Sequence, residues 1–159
     1  MDLWTTIKWK HYYKNGEHRM GIRARYEKGV DCEVRRAINE CICWLRETYE
    51  FPKRINIYVK SAKRIKAMNG ESVCGTFFRP ADRNVEPYVK ISTGDYPDLL
   101  EKMGKDNALA SILLTLLHEI SHYYQWLNDL DLTLIGEERQ ASVYADKRIR
   151  DYAETRDHP

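Results

Sequence analysis

The 159-residue chain has no stretch near the roughly 20 uninterrupted apolar residues that a membrane-spanning helix needs. Its opening Met1-Asp2-Leu3-Trp4 lacks the basic-then-apolar order of a secretory signal. Both absences lead to the expectation of a soluble, cytoplasmic protein with no membrane partner. The four cysteines, Cys32, Cys41, Cys43 and Cys74, include no CxxC pair. A zinc ribbon and a disulfide framework are therefore not suggested, and buried free thiols are expected. No internal repeat, low-complexity tract or long linker divides the chain, so one domain over residues 1–159 is expected.

What is present is first an uneven spread of charge. The net charge is +2 overall, yet residues 1–66 hold 16 Lys/Arg against 8 Asp/Glu, and residues 67–159 hold 10 against 16. Such a split can mark an acidic or nucleic-acid partner. Here the basic residues mostly alternate with apolar ones, as on the wet face of strands or a helix, so nucleic acid is not the expected partner.

Periodicity supplies the scaffold. Residues 6–13 and 19–26 alternate on either side of Asn15-Gly16, which predicts an N-terminal β-hairpin extension over residues 1–28, with Ile7, Trp9, Met20, Ile22 and Ala24 inward. Asp31 as N-cap, followed by Val34, Ala37, Ile38, Cys41, Leu45 and Tyr49, predicts a one-sided helix ending before Phe51-Pro52. Strands are expected over 54–60, 72–78 and 88–92, the last two joined by the 80–87 loop. A long helix capped by Asp106 should run to about Leu127, buried on several sides. A final helix from Gly136 and Glu137 to about Glu154 turns Ala141, Ala145 and Ile149 inward.

In the long helix stands LLHEISHYYQW. His118 and His122 are four apart, which on a helix puts both imidazoles on one face, close enough to hold one ion. Glu119 sits one step round, near such an ion without binding it. A zinc hydrolase needs this arrangement: two neutral nitrogens for the metal, and a carboxylate to take a proton from the zinc-bound water. Two histidines on a buried face could instead bond to backbone or to Tyr123 and Tyr124. The uncharged run from Ala108 to Leu117 weighs against that, because burying such groups without a partner is costly.

A third protein ligand is then required. The extended form HExxHxxGxxH fails, because Gln125 and Asn128 stand at its glycine and last histidine. His158 lies beside the C-terminal Pro159, where fraying is expected. Glu138 follows His122 by sixteen residues and shares a helical face with Ala141, Ser142 and Ala145, whose small side chains permit close approach. Glu137 is its rival but points about 100° away on an ideal helix, and the helix dipole would favour it as a solvated glutamate. Glu138 is the preferred ligand.

LLHEISHYYQW followed by ERQASVYA resembles the gluzincin metallopeptidases, most closely the small single-domain ImmA/IrrE-like group. The resemblance covers roughly residues 31–150 and leaves the N-terminal segment aside. It implies an α+β, zincin-like fold, with a small mixed or antiparallel sheet packed on an N-terminal helix and a central HExxH helix followed by a glutamate-ligand helix. It implies Zn2+ held by His118, His122 and Glu138, with Glu119 as general base. Ser142 falls where relatives often place an acid or amide that orients the first histidine. An edge strand beside the cleft, either 72–78 or 88–92, would take an extended peptide. Tyr144 is a candidate to stabilise the oxyanion. The expected activity is hydrolysis of a peptide bond in an intracellular protein or peptide, a regulatory protein among the candidates. The alternative is a non-catalytic regulatory or interaction protein on the same fold, acting through its basic N-terminal half.

Overall fold

Ile55, Ile57 and Val59 alternate with Asn56, Tyr58 and Lys60, and a period of two sends each set to its own face of a strand. In the computed structural model of the protein, which describes residues 2–13 and 18–159, the three aliphatic residues are fully buried and the other three partly exposed. They form β2 (Ile55–Lys60), flanked in parallel by β1 (Ile22–Tyr26) and β6 (Tyr88–Ser92). β5 (Gly75–Phe78) runs antiparallel to β6, so the sheet is mixed, in the order β1-β2-β6-β5. A small separate ladder pairs β3 (Ile65–Lys66) with β4 (Ser72–Val73).

Parallel strands need a crossover, and α1 (Cys32–Thr48) supplies it between β1 and β2. The Asp31 side chain accepts the Glu33 amide at 2.8 Å, the cap read from the sequence. Val34, Ala37, Ile38, Cys41 and Leu45 face the core. The remaining helices are α2 (Tyr96–Met103), α3 (Lys105–Leu127) and α4 (Leu134–Ala153). α1 packs on β1, α3 packs on α1, β5 and β6, and α4 packs along α3. The architecture is thus mixed α/β: helices cover one face of the small sheet, and the face carrying Asn56, Tyr58 and Lys60 is left open. Among the described residues, no helix is long and apolar enough to cross a membrane.

The N-terminal hairpin is a correction. Asn15-Gly16 lies outside the described residues, but the first run forms two short 3₁₀ helices, Leu3–Thr5 and Lys8–His11, and β1 pairs with β2. Aromatic burial outweighs the alternating pattern here. The Trp4 indole donates to Ser121 Oγ at 3.2 Å and packs on Tyr49 and Tyr124. The Trp9 amide donates to Asn128 Oδ1 at 3.2 Å. At the edge of β1, Arg46 takes the Ile22 carbonyl through Nη2 at 2.7 Å. Ile7 and Met20 are exposed rather than inward.

Other expectations shift as well. Gly104, at φ 82°, ends α2 and starts α3, so Asp106 falls in the first turn instead of capping it. Its carboxylate meets His158 at 2.8 Å, which holds that histidine at the start of α3, away from His118 and His122. Of the cysteines only Cys41 is buried, while Cys32, Cys43 and Cys74 are exposed.

Candidate metal centre

α3 is buried on nearly every side from Leu116 to Asn128, so each polar side chain there needs a partner. Ser121 accepts the Trp4 indole and donates to Leu117 O at 2.9 Å. Asn128 Nδ2 donates to Tyr124 O at 3.0 Å. Gln125 Nε2 donates to Glu137 O at 2.9 Å and to Gln140 Oε1 at 3.0 Å. Because a carbonyl only accepts, this fixes the amide and turns Gln125 Oε1 toward His122 Nδ1, 2.7 Å away. His122 therefore carries its proton on Nδ1, and in the neutral imidazole the Nε2 lone pair points the other way.

That lone pair faces Glu138. His122 Nε2 lies 3.1 Å from Glu138 Oε1, and His118 Nε2 lies 3.0 Å from Glu138 Oε2. The two imidazole centroids are 4.9 Å apart, and one donor atom from each of the three residues falls within 4.8 Å of the others. At these distances the imidazole nitrogens and the carboxylate can share a proton or hold a cation between them. Two nitrogens and a carboxylate are a donor set that zinc accepts. Burial, and next the neighbouring His122, holds the His118 imidazole below its ordinary value against the pull of Glu138. The residues present thus fit the metal that the sequence implied.

Glu119 is 7% exposed and, unlike the other buried polar side chains of α3, has no hydrogen-bond partner among the described residues. Burial, with a smaller contribution from Glu138, pushes its carboxyl up to about 8. A cation held by the ligands would oppose both effects. Above it lies Gly75 of β5, where a methyl group would stand 3.1 Å from Glu119 Cγ and Oε1 and 2.8 Å from Thr115 Cγ2. Glycine lets the edge strand pass directly over the carboxylate.

Two clefts meet at this point. One, of about 560 Å³, lies between the β3–β4 segment and the start of α4, with His118, Glu119, His122 and Glu138 in its wall. The other, of about 270 Å³, continues past Gly75 and is lined by Cys74, Leu114, Ser142 and Asp146 as well as His118 and Glu119. β5 is the outer strand of the sheet, so of the two candidate edge strands it is the one beside the cleft.

The structure brings together His118, Glu119, His122 and Glu138, and sets Ser142 Oγ 3.5 Å from His118 Nδ1, at the outer limit of a hydrogen bond. Tyr144 is directed elsewhere, a correction: its hydroxyl accepts the Leu3 amide at 3.1 Å, and it lines neither cleft. The N-terminal segment docked on α4 captures it. Glu137 is not a solvated glutamate, since it is buried and paired with Arg79 Nη1 at 2.7 Å. Sequence reasoning passed over Gln125, Gly75 and Arg79, which among the described residues is the one Lys or Arg in the wall of the larger cleft. Gln125 lies one helical turn beyond His122, a spacing from which its role could have been read. Compared with known protein families, curated proteins and solved structures, the chain matches none.

Proposed function

We propose that the protein is a zinc-dependent peptidase of the gluzincin type, acting on an extended segment of a protein or peptide. The observation that carries the reading is the convergence of both imidazole Nε2 atoms on one carboxylate, at 3.0 and 3.1 Å, beside a buried and unpaired Glu119. His118, His122 and Glu138 would hold the ion. Zinc would supply Lewis acidity, polarising a carbonyl and making water acidic near neutral pH.

The chain's own groups do the rest. Gln125 holds His122 in the tautomer that leaves Nε2 free, and Ser142 stands behind His118. The Glu119 carboxylate takes a proton from the attacking water and returns it to the departing amine nitrogen. The free edge of β5 offers the backbone groups of Gly75–Phe78 to a peptide laid beside it, past the carboxylate. Arg79, partly exposed in the larger cleft, is placed to meet a substrate carbonyl or carboxylate.

Metal analysis tests the reading. Purified protein should carry about one zinc per chain. Glu119→Gln should keep that metal while lowering turnover of a quenched fluorescent peptide mixture by about 10²-fold or more. A protein that binds no zinc, or a Glu119→Gln variant that hydrolyses as fast as the parent, sinks the proposal.

A further inference from the structure

We infer that the open face of the sheet binds single-stranded nucleic acid, with its cations on phosphates and a band of three aromatic rings under the bases. The sequence showed basic residues alternating with apolar ones; the fold shows where that alternation leads. In β1, β2 and β6 the apolar members turn to the helices, so the basic and aromatic members collect on one uncovered surface.

Register fixes their neighbours. Arg23, Asn56, Tyr88 and Phe78 form one row across the sheet, and Arg25, Tyr58, Lys90 and Thr76 form the next. The rings of Tyr58, Tyr88 and Phe78 make a continuous band over three strands, with centroids 5.6 Å and 4.8 Å apart. Lys90 lies 5.4 Å from the Tyr88 ring centre, and Lys60 lies 5.9 Å from that of Tyr58. Aromatic rings interleaved with cations are what a single strand uses, since every base has a stacking face and every linkage a charge.

The charge is poorly compensated. Arg23, Arg25 and Lys90 have no ion-pair partner among the described residues, whereas Arg19 and Lys60 are paired with Glu86 and Glu27. Arg54, at the start of β2, is held below its ordinary value by burial first and then by Arg23, Arg19 and Arg25. Crowded arginines repel one another, and a polyanion relieves that repulsion. An acidic peptide would meet the cations but leave the ring band without a partner, and a duplex keeps its bases stacked away from it. Thr76 lines the larger cleft, but the arginines, lysines and aromatic residues of this face line neither cleft at the HExxH helix, so the inference stands apart from the peptidase reading.

Fluorescence anisotropy with the full chain tests it, using a labelled mixed-sequence 20-nucleotide RNA, its DNA counterpart, the matching duplex and a glutamate-rich peptide. The single strands should bind at least about tenfold more tightly than the duplex or the peptide, and more weakly as salt rises. Arg25→Glu and Lys90→Glu should each weaken binding about tenfold. Tyr88→Leu, which keeps bulk and charge, should weaken it about fivefold or more. Circular dichroism checks that each variant is folded, and the exposed Arg25 provides a variant with little structural role. Glu119→Gln should bind as the parent does, which separates this outcome from the fate of the peptidase proposal. Absence of single-strand binding, equal or tighter binding of the peptide or duplex, or full retention of affinity in Tyr88→Leu overturns the inference.

Discussion

Gly75→Ala is the most direct probe of how closely the edge strand approaches the HExxH helix. The added methyl would stand 2.8 Å from Thr115 Cγ2 and 3.1 Å from Glu119 Cγ and Oε1. Gly75 is not among the glycines with positive φ, so alanine suits the backbone and space alone is tested. Overpacking of this kind costs about 1–3 kcal/mol, and the smaller unfolded-state entropy of alanine returns about 0.4–1 kcal/mol. A net loss of about 1–2 kcal/mol is expected, read as a lower urea midpoint at unchanged slope and a melting temperature reduced by about 2–8 °C. Thr115→Ser deletes Cγ2 and keeps the hydroxyl that donates to Ser111 O at 3.4 Å. In a double-mutant cycle it should recover part of the lost stability, with a coupling of about 0.5 kcal/mol or more. The proposed peptidase activity, which crowding of Glu119 should lower in Gly75→Ala, should not return with it, because the contacts to Glu119 remain. A Gly75→Ala protein as stable as the parent, or a cycle with no coupling, would refute the close approach.

Three further outcomes follow from particular contacts. Gln125→Leu removes the acceptor that fixes the His122 tautomer and should weaken zinc binding about 10–100-fold in a chelator competition. Asp2 loses some ionisation to burial, but its hydrogen bonds from Arg148, the Trp4 amide and Lys147 outweigh this and hold its carboxyl below the ordinary range. Its contribution to stability is therefore complete above about pH 4 and fades as pH falls through the depressed folded value. Asp2→Asn should cost about 1–3 kcal/mol at pH 7, since Arg148 is buried beside it, and progressively less as pH falls through the depressed folded value, as followed by urea unfolding at each pH. The exposed Cys32, Cys43 and Cys74 should react with a thiol reagent in the native protein, and Cys41 only after unfolding.

The strongly periodic elements were legible. The one-sided stripe of α1, the alternation of β2 and the long helix reappear with ends displaced by a residue or two, because each is dictated by its own apolar spacing. The N-terminal segment was not. Its alternating run equally suits a chain that buries Trp4 and Trp9 in 3₁₀ turns, and the choice is made by partners more than 100 residues away, Ser121 and Asn128. α2 was missed because its 8 residues bury only Tyr96, too little to show a helical stripe.

The site divides along the same line. Spacing alone predicts that His118 and His122 share a face and that Glu138 belongs to a second helix. It says nothing of Glu119's surroundings, which decide whether that residue is a base or a solvated acid. On an isolated helix, Glu119 would be an ordinary glutamate. Here Gly75 brings a strand over it beside Thr115, and every other buried polar group on the helix has a bonded partner. A carboxylate left unpaired at 7% exposure costs stability, and it offers no packing return that a leucine would not exceed. The arrangement persists beside two imidazoles and a second carboxylate whose donor atoms meet within 4.8 Å. A use for that unpaired carboxylate is the simplest account of why it is kept.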